Sequence, residues 1–196
     1  IRSNRRFRAK TREEDGDALF HSILSPREPD RLWPMFMIYL SGKQQSFLEF
    51  ASANYNSAMT AFLNDDARTL GRIDRALGDA KSRLKNDRRK ETLCLRRLPR
   101  EIGIEKSAWF YLGNNSCMSV LYNLRRITEI CREHVDNNFL PLPERYRADF
   151  SDIAVEVTTL FNDITAMISD SRSRRHAQTA LRRDQEPHIK SLSRPL

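Results

Sequence analysis

Glycine is scarce in this 196-residue chain, with six residues, and proline (eight), histidine (four) and cysteine (three) are thin as well. A phosphate-cradling glycine-rich loop needs several residues free to take positive φ, and no such loop is present. Cys94, Cys117 and Cys131 are odd in number and contain no CxxC pair. No zinc spacing is present, and a reducing compartment is the simpler reading. The histidines, at positions 21, 134, 176 and 188, lie far apart, and no nucleophile motif accompanies them. Nothing in the residues argues for an enzyme.

Long apolar runs are absent too. Leu32 to Leu40, which contains Pro34, is the longest, about half of the roughly 20 residues that span a bilayer. Ile1 to Arg12 is mostly basic and lacks the apolar core of a secretory signal peptide.

What the sequence does hold is helix-forming material, with 39% hydrophobic and 31% charged residues, rich in Arg, Leu, Ala and Asp and poor in β-branched types. The net charge of +8 is unevenly placed. Residues 1–12 carry six Lys/Arg and no acid, residues 171–196 carry seven Lys/Arg against two acids, and the rest nets to −3. The basicity belongs to the two ends.

Residues 1–30 read as a connector, with a short helix around Asp17 to Ile23 and the turn-prone SPREPD at Ser25 to Asp30. From Pro34 onward Phe36, Leu40, Phe47, Ala51, Tyr55, Ala58/Met59 and Phe62 recur at helical spacing. Asn64 to Asp66 make a turn or N-cap, after which Leu70, Ile73, Leu77, Ala80 and Leu84 repeat at alternating threes and fours. The link is short, so these helices are antiparallel neighbours. Glu91 to Glu105, with Pro99 and Gly103, reads as a helical turn and loop.

A third helix, beginning near Ser107, carries Cys117, Val120/Leu121, Leu124, Ile127, Cys131 and Val135 on one face and ends at Asn137-Asn138. Pro143 suits the first turn of a fourth, with a buried stripe of Phe150, Ile153, Val157, Leu160/Phe161, Ile164 and Met167/Ile168. The expected fold is all-α, an antiparallel bundle of long helices built as two αα-hairpins over residues 31–170. Residues 171–196 form a basic polar tail.

On the third helix Glu129, Glu133 and Asp136 project together, and on the fourth Asp152, Glu156 and Asp163 share a face. If those helices pack antiparallel, Glu129, Glu133, Asp136, Asp152 and Glu156 offer oxygen ligands for a divalent or ferric metal ion. The alternative is a pair of solvated faces whose acids pair along the helix with Arg125 and Arg132. His134, at the edge of an apolar face, reads as a packed or hydrogen-bonded residue rather than a ligand.

Tyr122 to Phe139, YNLRRITEICREHVDNNF, resembles the signature of the PhoU-like domain appended to inorganic phosphate transporters of Bacteroidetes-type bacteria. The most specific part is Glu133-His134-Val135-Asp136-Asn137-Asn138; Leu95-Arg96-Arg97-Leu98 and the stripe Val155 to Ile168 are similar more loosely, and the match covers roughly residues 32–170.

The resemblance implies a non-catalytic regulatory or assembly domain of a phosphate transporter, on the cytoplasmic side of the inner membrane. Its partners would be the transmembrane portion, a second copy in a homodimer, and an anionic membrane surface met by Arg2, Arg5, Arg6, Arg8 and Lys10. Stand-alone PhoU-like proteins bind metal clusters through E/D-xxx-D motifs, which Glu129-xxx-Glu133 and Asp152-xxx-Glu156 approximate with a terminal Glu. Such domains usually continue into another long helix, so the chain reads as a truncated one. Two other readings stay open: a metal-binding PhoU-like protein, and a helical nucleic-acid-binding protein clamping with its basic ends, against which the net-negative body argues.

Overall fold

The computed structural model describes the backbone of residues 29–96 and 100–192, and the side chains of residues 34, 36–96 and 107–170. The basic stretch 1–12 and the helix expected around Asp17 to Ile23 lie outside the described residues. Four helices account for the rest: α1 Pro29–Leu63, α2 Ala67–Leu95, α3 Arg100–Asp136 and α4 Glu144–Leu192. The fold is all-α and antiparallel, as the periodicity predicts.

Four boundaries differ from expectation, the first being that α1 already begins at Pro29, within the stretch read as a turn-prone connector, and holds Pro34 inside it. The segment from Glu91 is not a loop: α2 runs unbroken to Leu95 and α3 already begins at Arg100, with Gly103 inside it. Here α2 gains from burying Cys94 and Leu95, which outweighs weak local propensity. The fourth helix continues through the expected tail to Leu192.

Two helix ends are closed by the same device. Asp65 takes φ 52°, the Asp66 amide donates to the Ala61 carbonyl and the Asp65 amide to that of Phe62. At the end of α3, Asn138 takes φ 53°, while the Phe139 amide donates to the His134 carbonyl and the Asn138 amide to that of Val135. Both are Schellman caps, in which one left-handed residue satisfies carbonyls the helix leaves open. Asp66 then starts α2, its carboxylate accepting from the Thr69 amide at 3.0 Å.

Ring contacts fix the directions. Phe36 meets Phe110 at one end and Phe62 meets His134 at the other, so α1 and α3 are parallel. Phe62 against Phe150 and Tyr55 against Phe161 make α4 antiparallel to α1. α1 packs on all three other helices and α2 packs on α3. No Cα of α4 comes within 8 Å of α2 or α3 among the described residues. The second expected hairpin, α3 with α4, is therefore not a packed pair; α4 leans on α1.

The core follows the predicted seams on α1 and α2. Phe47, Ala51, Tyr55, Ala58 and Met59 are buried, as are Leu70, Ile73, Leu77, Ala80 and Leu84. Each fully buried leucine, such as Leu70 or Leu77, contributes about 1.5–3 kcal/mol of transfer free energy. A second cluster, Phe36, Leu40, Cys94, Leu95 and Phe110, closes the end where α1 begins. The stripe expected on α4 is only half correct. Phe150, Val157, Phe161 and Ile168 pack on the core, while Ile153, Leu160, Ile164 and Met167 are exposed, because α3 does not reach across to cover them.

Candidate functional site

Between the two apolar clusters lies a polar layer. Lys43 falls between Leu40 and Phe47 on α1, Glu91 between Leu84 and Cys94 on α2, and Asn114 between Phe110 and Cys117 on α3. Glu91 is wholly buried, and one of its oxygens accepts from the Lys43 ammonium. The other lies 3.5 Å from the Asn114 amide nitrogen. Asp87 gives Lys43 a second carboxylate at 3.2 Å. Burial pushes the Glu91 carboxyl above the ordinary carboxylate range, and the Lys43 charge pulls it only part of the way back.

A cleft beside this layer, lined by Leu40, Lys43, Gln44, Phe47, Leu84, Phe110, Asn114 and Cys117, holds about 10 Å³. That is about one water, far below the roughly 300 Å³ of a small-molecule site. The layer's work is alignment. Sliding α2 by one turn against α1 would strand a buried carboxylate, so the pair fixes register.

The carboxylates proposed as metal ligands fall apart into two groups. On α3, Glu129 pairs with Arg125 (3.2 Å) and Asp136 with Arg132 (3.4 Å), each one turn along the helix. Both arginines also reach Asp74 of α2, at 3.0 and 3.2 Å. The acidic strip of α3 thus belongs to an α2–α3 ion network, Glu129–Arg125–Asp74–Arg132–Asp136. Glu133 is exposed, as are Asp152 and Glu156 on α4. Since α3 and α4 do not pack, the two strips do not converge. Among the described residues no three His, Cys, Asp or Glu side chains are close enough to hold a metal ion.

The Glu133 to Asn138 run has a definite structural position. It is the last turn of α3 together with its cap, and His134 is the hub of the joint it makes. The His134 ring stands edge-on to Phe62 of α1 (5.3 Å) and to Phe139 beyond the cap (5.5 Å). Phe62 in turn meets Phe150 of α4, and Arg147 donates to the Leu63 carbonyl at 2.7 Å, covering an open end of α1. Three helices meet at this one corner.

Cys117 and Cys131 lie on the inner side of α3, and burial pushes both thiols up to about 11. They remain protonated near neutrality and act as small apolar groups. No helix of the described residues is long and apolar enough to cross a membrane.

No protein-family model, curated protein or solved structure matches the chain.

Proposed function

We propose that this chain is a non-catalytic regulatory or assembly domain of an inorganic phosphate transporter, working through its helix faces. The observation that carries the reading is the placement of the run resembling the PhoU-like signature: Glu133 to Asn138 forms the cap and corner at which α1, α3 and α4 meet. A motif built into the joint of the fold is the kind that a domain family retains, whatever signal each member reads. The cleft beside the Lys43–Glu91–Asn114 layer holds about 10 Å³, too small for a ligand, and this is in keeping with work done on outer surfaces.

In this reading the basic residues Arg2, Arg5, Arg6, Arg8 and Lys10 stand next to the membrane portion of the transporter on the cytoplasmic side of the inner membrane, attracted by anionic headgroups. Phosphate passes through the membrane portion, and the bundle adjusts or assembles it.

The test is phosphate uptake by cells carrying the intact transporter or one lacking residues 29–192, over a range of external phosphate. Altered uptake or altered response to phosphate is expected. Identical uptake and identical regulation would refute the proposal.

A further inference from the structure

The charges of this bundle are sorted by helix. α2 holds nine Lys/Arg and four acids, whereas residues 144–170 of α4 hold two Arg and six acids. Both helices pack on α1, and neither packs on the other among the described residues, so the two sets of charge lie on different sides of the fold. The small net charge between the basic ends hides this division.

Within α2 three of the acids turn inward while the cations stay outside. Asp74 meets Arg125 and Arg132 of α3, and Asp87 and Glu91 meet Lys43 of α1. Helical angles place Arg68, Arg72, Arg75, Arg83 and Arg89 in one sector of about 120°, on the side away from Leu70, Ile73, Leu77 and Leu84. All five are exposed, as is Lys85 at the edge of the sector. None of the six has an ion-pair partner among the described residues, although the Asp66 carboxylate feels the charge of Arg72. Asp79 is the one acid that α2 places among them. On the α3 side Glu129 and Asp136 are already matched to Arg125 and Arg132, and Arg126 and Glu133 beyond them carry one charge of each sign.

The face is long, straight and shallow. Arg68 to Arg89 spans about 32 Å along one unbroken helix. Because α1 and α3 cover the rest of α2, it cannot enter the major groove of a duplex, which takes the full width of a helix. Residues 67–96 contain no Phe, Tyr or Trp on which an unpaired base could stack. A flat anionic surface suits the row better. Every cation on a straight helix can come within a Debye length of a plane at once, and each adds to the attraction of a phosphatidylserine-bearing membrane. The acidic α4 of a second copy fits less well, because α2 and α4 lie on different sides and such contacts would run head to tail without closing. Leu93 is the one large apolar side chain that α2 exposes, so contact is by charge and not by insertion of an apolar face.

We propose that the outer face of α2 adsorbs to an anionic membrane surface, with Arg68, Arg72, Arg75, Arg83 and Arg89 meeting lipid phosphate and carboxylate groups. Guanidinium groups suit those anions, which they can hold by two hydrogen bonds at once. The acids of α4 then orient the bundle, since they are repelled from the same surface. The inference does not rest on the transporter reading, and it assigns lipid contact to a part of the chain other than the basic residues 1–12.

Sedimentation of the full chain with sucrose-loaded vesicles, three parts phosphatidylcholine to one part phosphatidylserine, tests this at about 0.1 M salt. The basic ends attract such vesicles too, so the comparison is between variants. Arg68→Gln, Arg83→Gln and Arg89→Gln together are expected to lower the partition coefficient about a hundredfold, at about fivefold for each cation. Urea denaturation is expected to show unchanged stability, since none of the three holds an ion pair. In the unmodified chain, phenylglyoxal labelling mapped by mass spectrometry is expected to show Arg68, Arg75 and Arg83 protected by the vesicles while Arg126 and Arg145 stay reactive. A loss of less than about tenfold in the triple variant, or protection confined to the arginines of residues 1–12, would overturn the proposal. So would partition no stronger than onto pure phosphatidylcholine, whether the same three arginines then bind a short DNA duplex, which indicates nucleic acid, or drive self-association, which indicates a second copy.

Discussion

His134 Nε2 lies 3.0 Å from the carbonyl oxygen of Leu140, so a side chain in the last turn of α3 holds the strand of chain that has just left it. The carbonyl accepts, so Nε2 carries the proton. Together with the cap on Asn138, this contact turns the chain towards α4, and the flanking Phe62 and Phe139 rings pack the imidazole in place. His134→Ala removes one hydrogen bond and two aromatic contacts. A loss of about 1–3 kcal/mol in unfolding free energy is expected. Urea denaturation measures it, and a change within error of zero would mean that the joint does not hold the corner.

Glu91 makes a prediction with a definite sign. Its folded-state pKa is raised, because burial outweighs the attraction of Lys43. Such a group favours folding most below its unfolded pKa, about 4.3, and that contribution is lost as pH rises through the raised folded value. The stability of the unmodified chain relative to Glu91→Gln should therefore fall between pH 4 and neutrality. Lys43→Met behaves differently, since it leaves a buried carboxylate without its cation, and a loss of about 3–5 kcal/mol at neutral pH is expected. Denaturation of the three proteins across pH checks both. A relative stability of Glu91 that rises with pH would contradict the sign.

The limits of the sequence reading are instructive at these same positions. The seams of α1 and α2 were legible because both helices are covered, so every third or fourth apolar residue is buried, Leu70 and Leu77 among them. The exposed half of the α4 stripe was not legible. Periodicity reports an apolar face but not whether a neighbour arrives to cover it, and α3 does not. The polar layer did leave a signal. Lys43, Glu91 and Asn114 each occupy the position at which an apolar seam residue is due, and three such interruptions at one level of a bundle mark a buried ionic layer. Asp74, which joins Arg125 to Arg132 across helices, left none, since an acid between Ile73 and Leu77 looks like any solvated residue.

The thiols give a chemical readout of packing. With Cys117 and Cys131 pushed up to about 11 by burial, the native chain is expected to react with iodoacetamide at pH 8 far more slowly than the urea-unfolded chain. A thiol of pKa about 11 is about 0.1% thiolate at pH 8, against about a tenth for one at the ordinary value of 9.0, so a difference of about a hundredfold follows from ionisation alone. Peptide mapping of alkylated Cys117 and Cys131 measures it. Comparable native and unfolded rates would show that α3 is not packed as described.

Asn138 separates the structural part of the signature from any other. Its φ of 53° is a conformation that glycine takes freely, asparagine tolerates and β-branched residues resist. Asn138→Gly should leave stability within about 0.5 kcal/mol, whereas Asn138→Val should cost about 1–2 kcal/mol. Both substitutions delete the same amide side chain, so a role for that group in recognition would make them equally damaging to function. If the chain is the transporter domain proposed above and the run from Glu133 to Asn138 acts through the shape of the corner, Asn138→Gly should keep normal phosphate uptake while Asn138→Val weakens it in step with lost stability. Uptake lost in Asn138→Gly with stability unchanged would show that the asparagine is read by a partner rather than by its own helix.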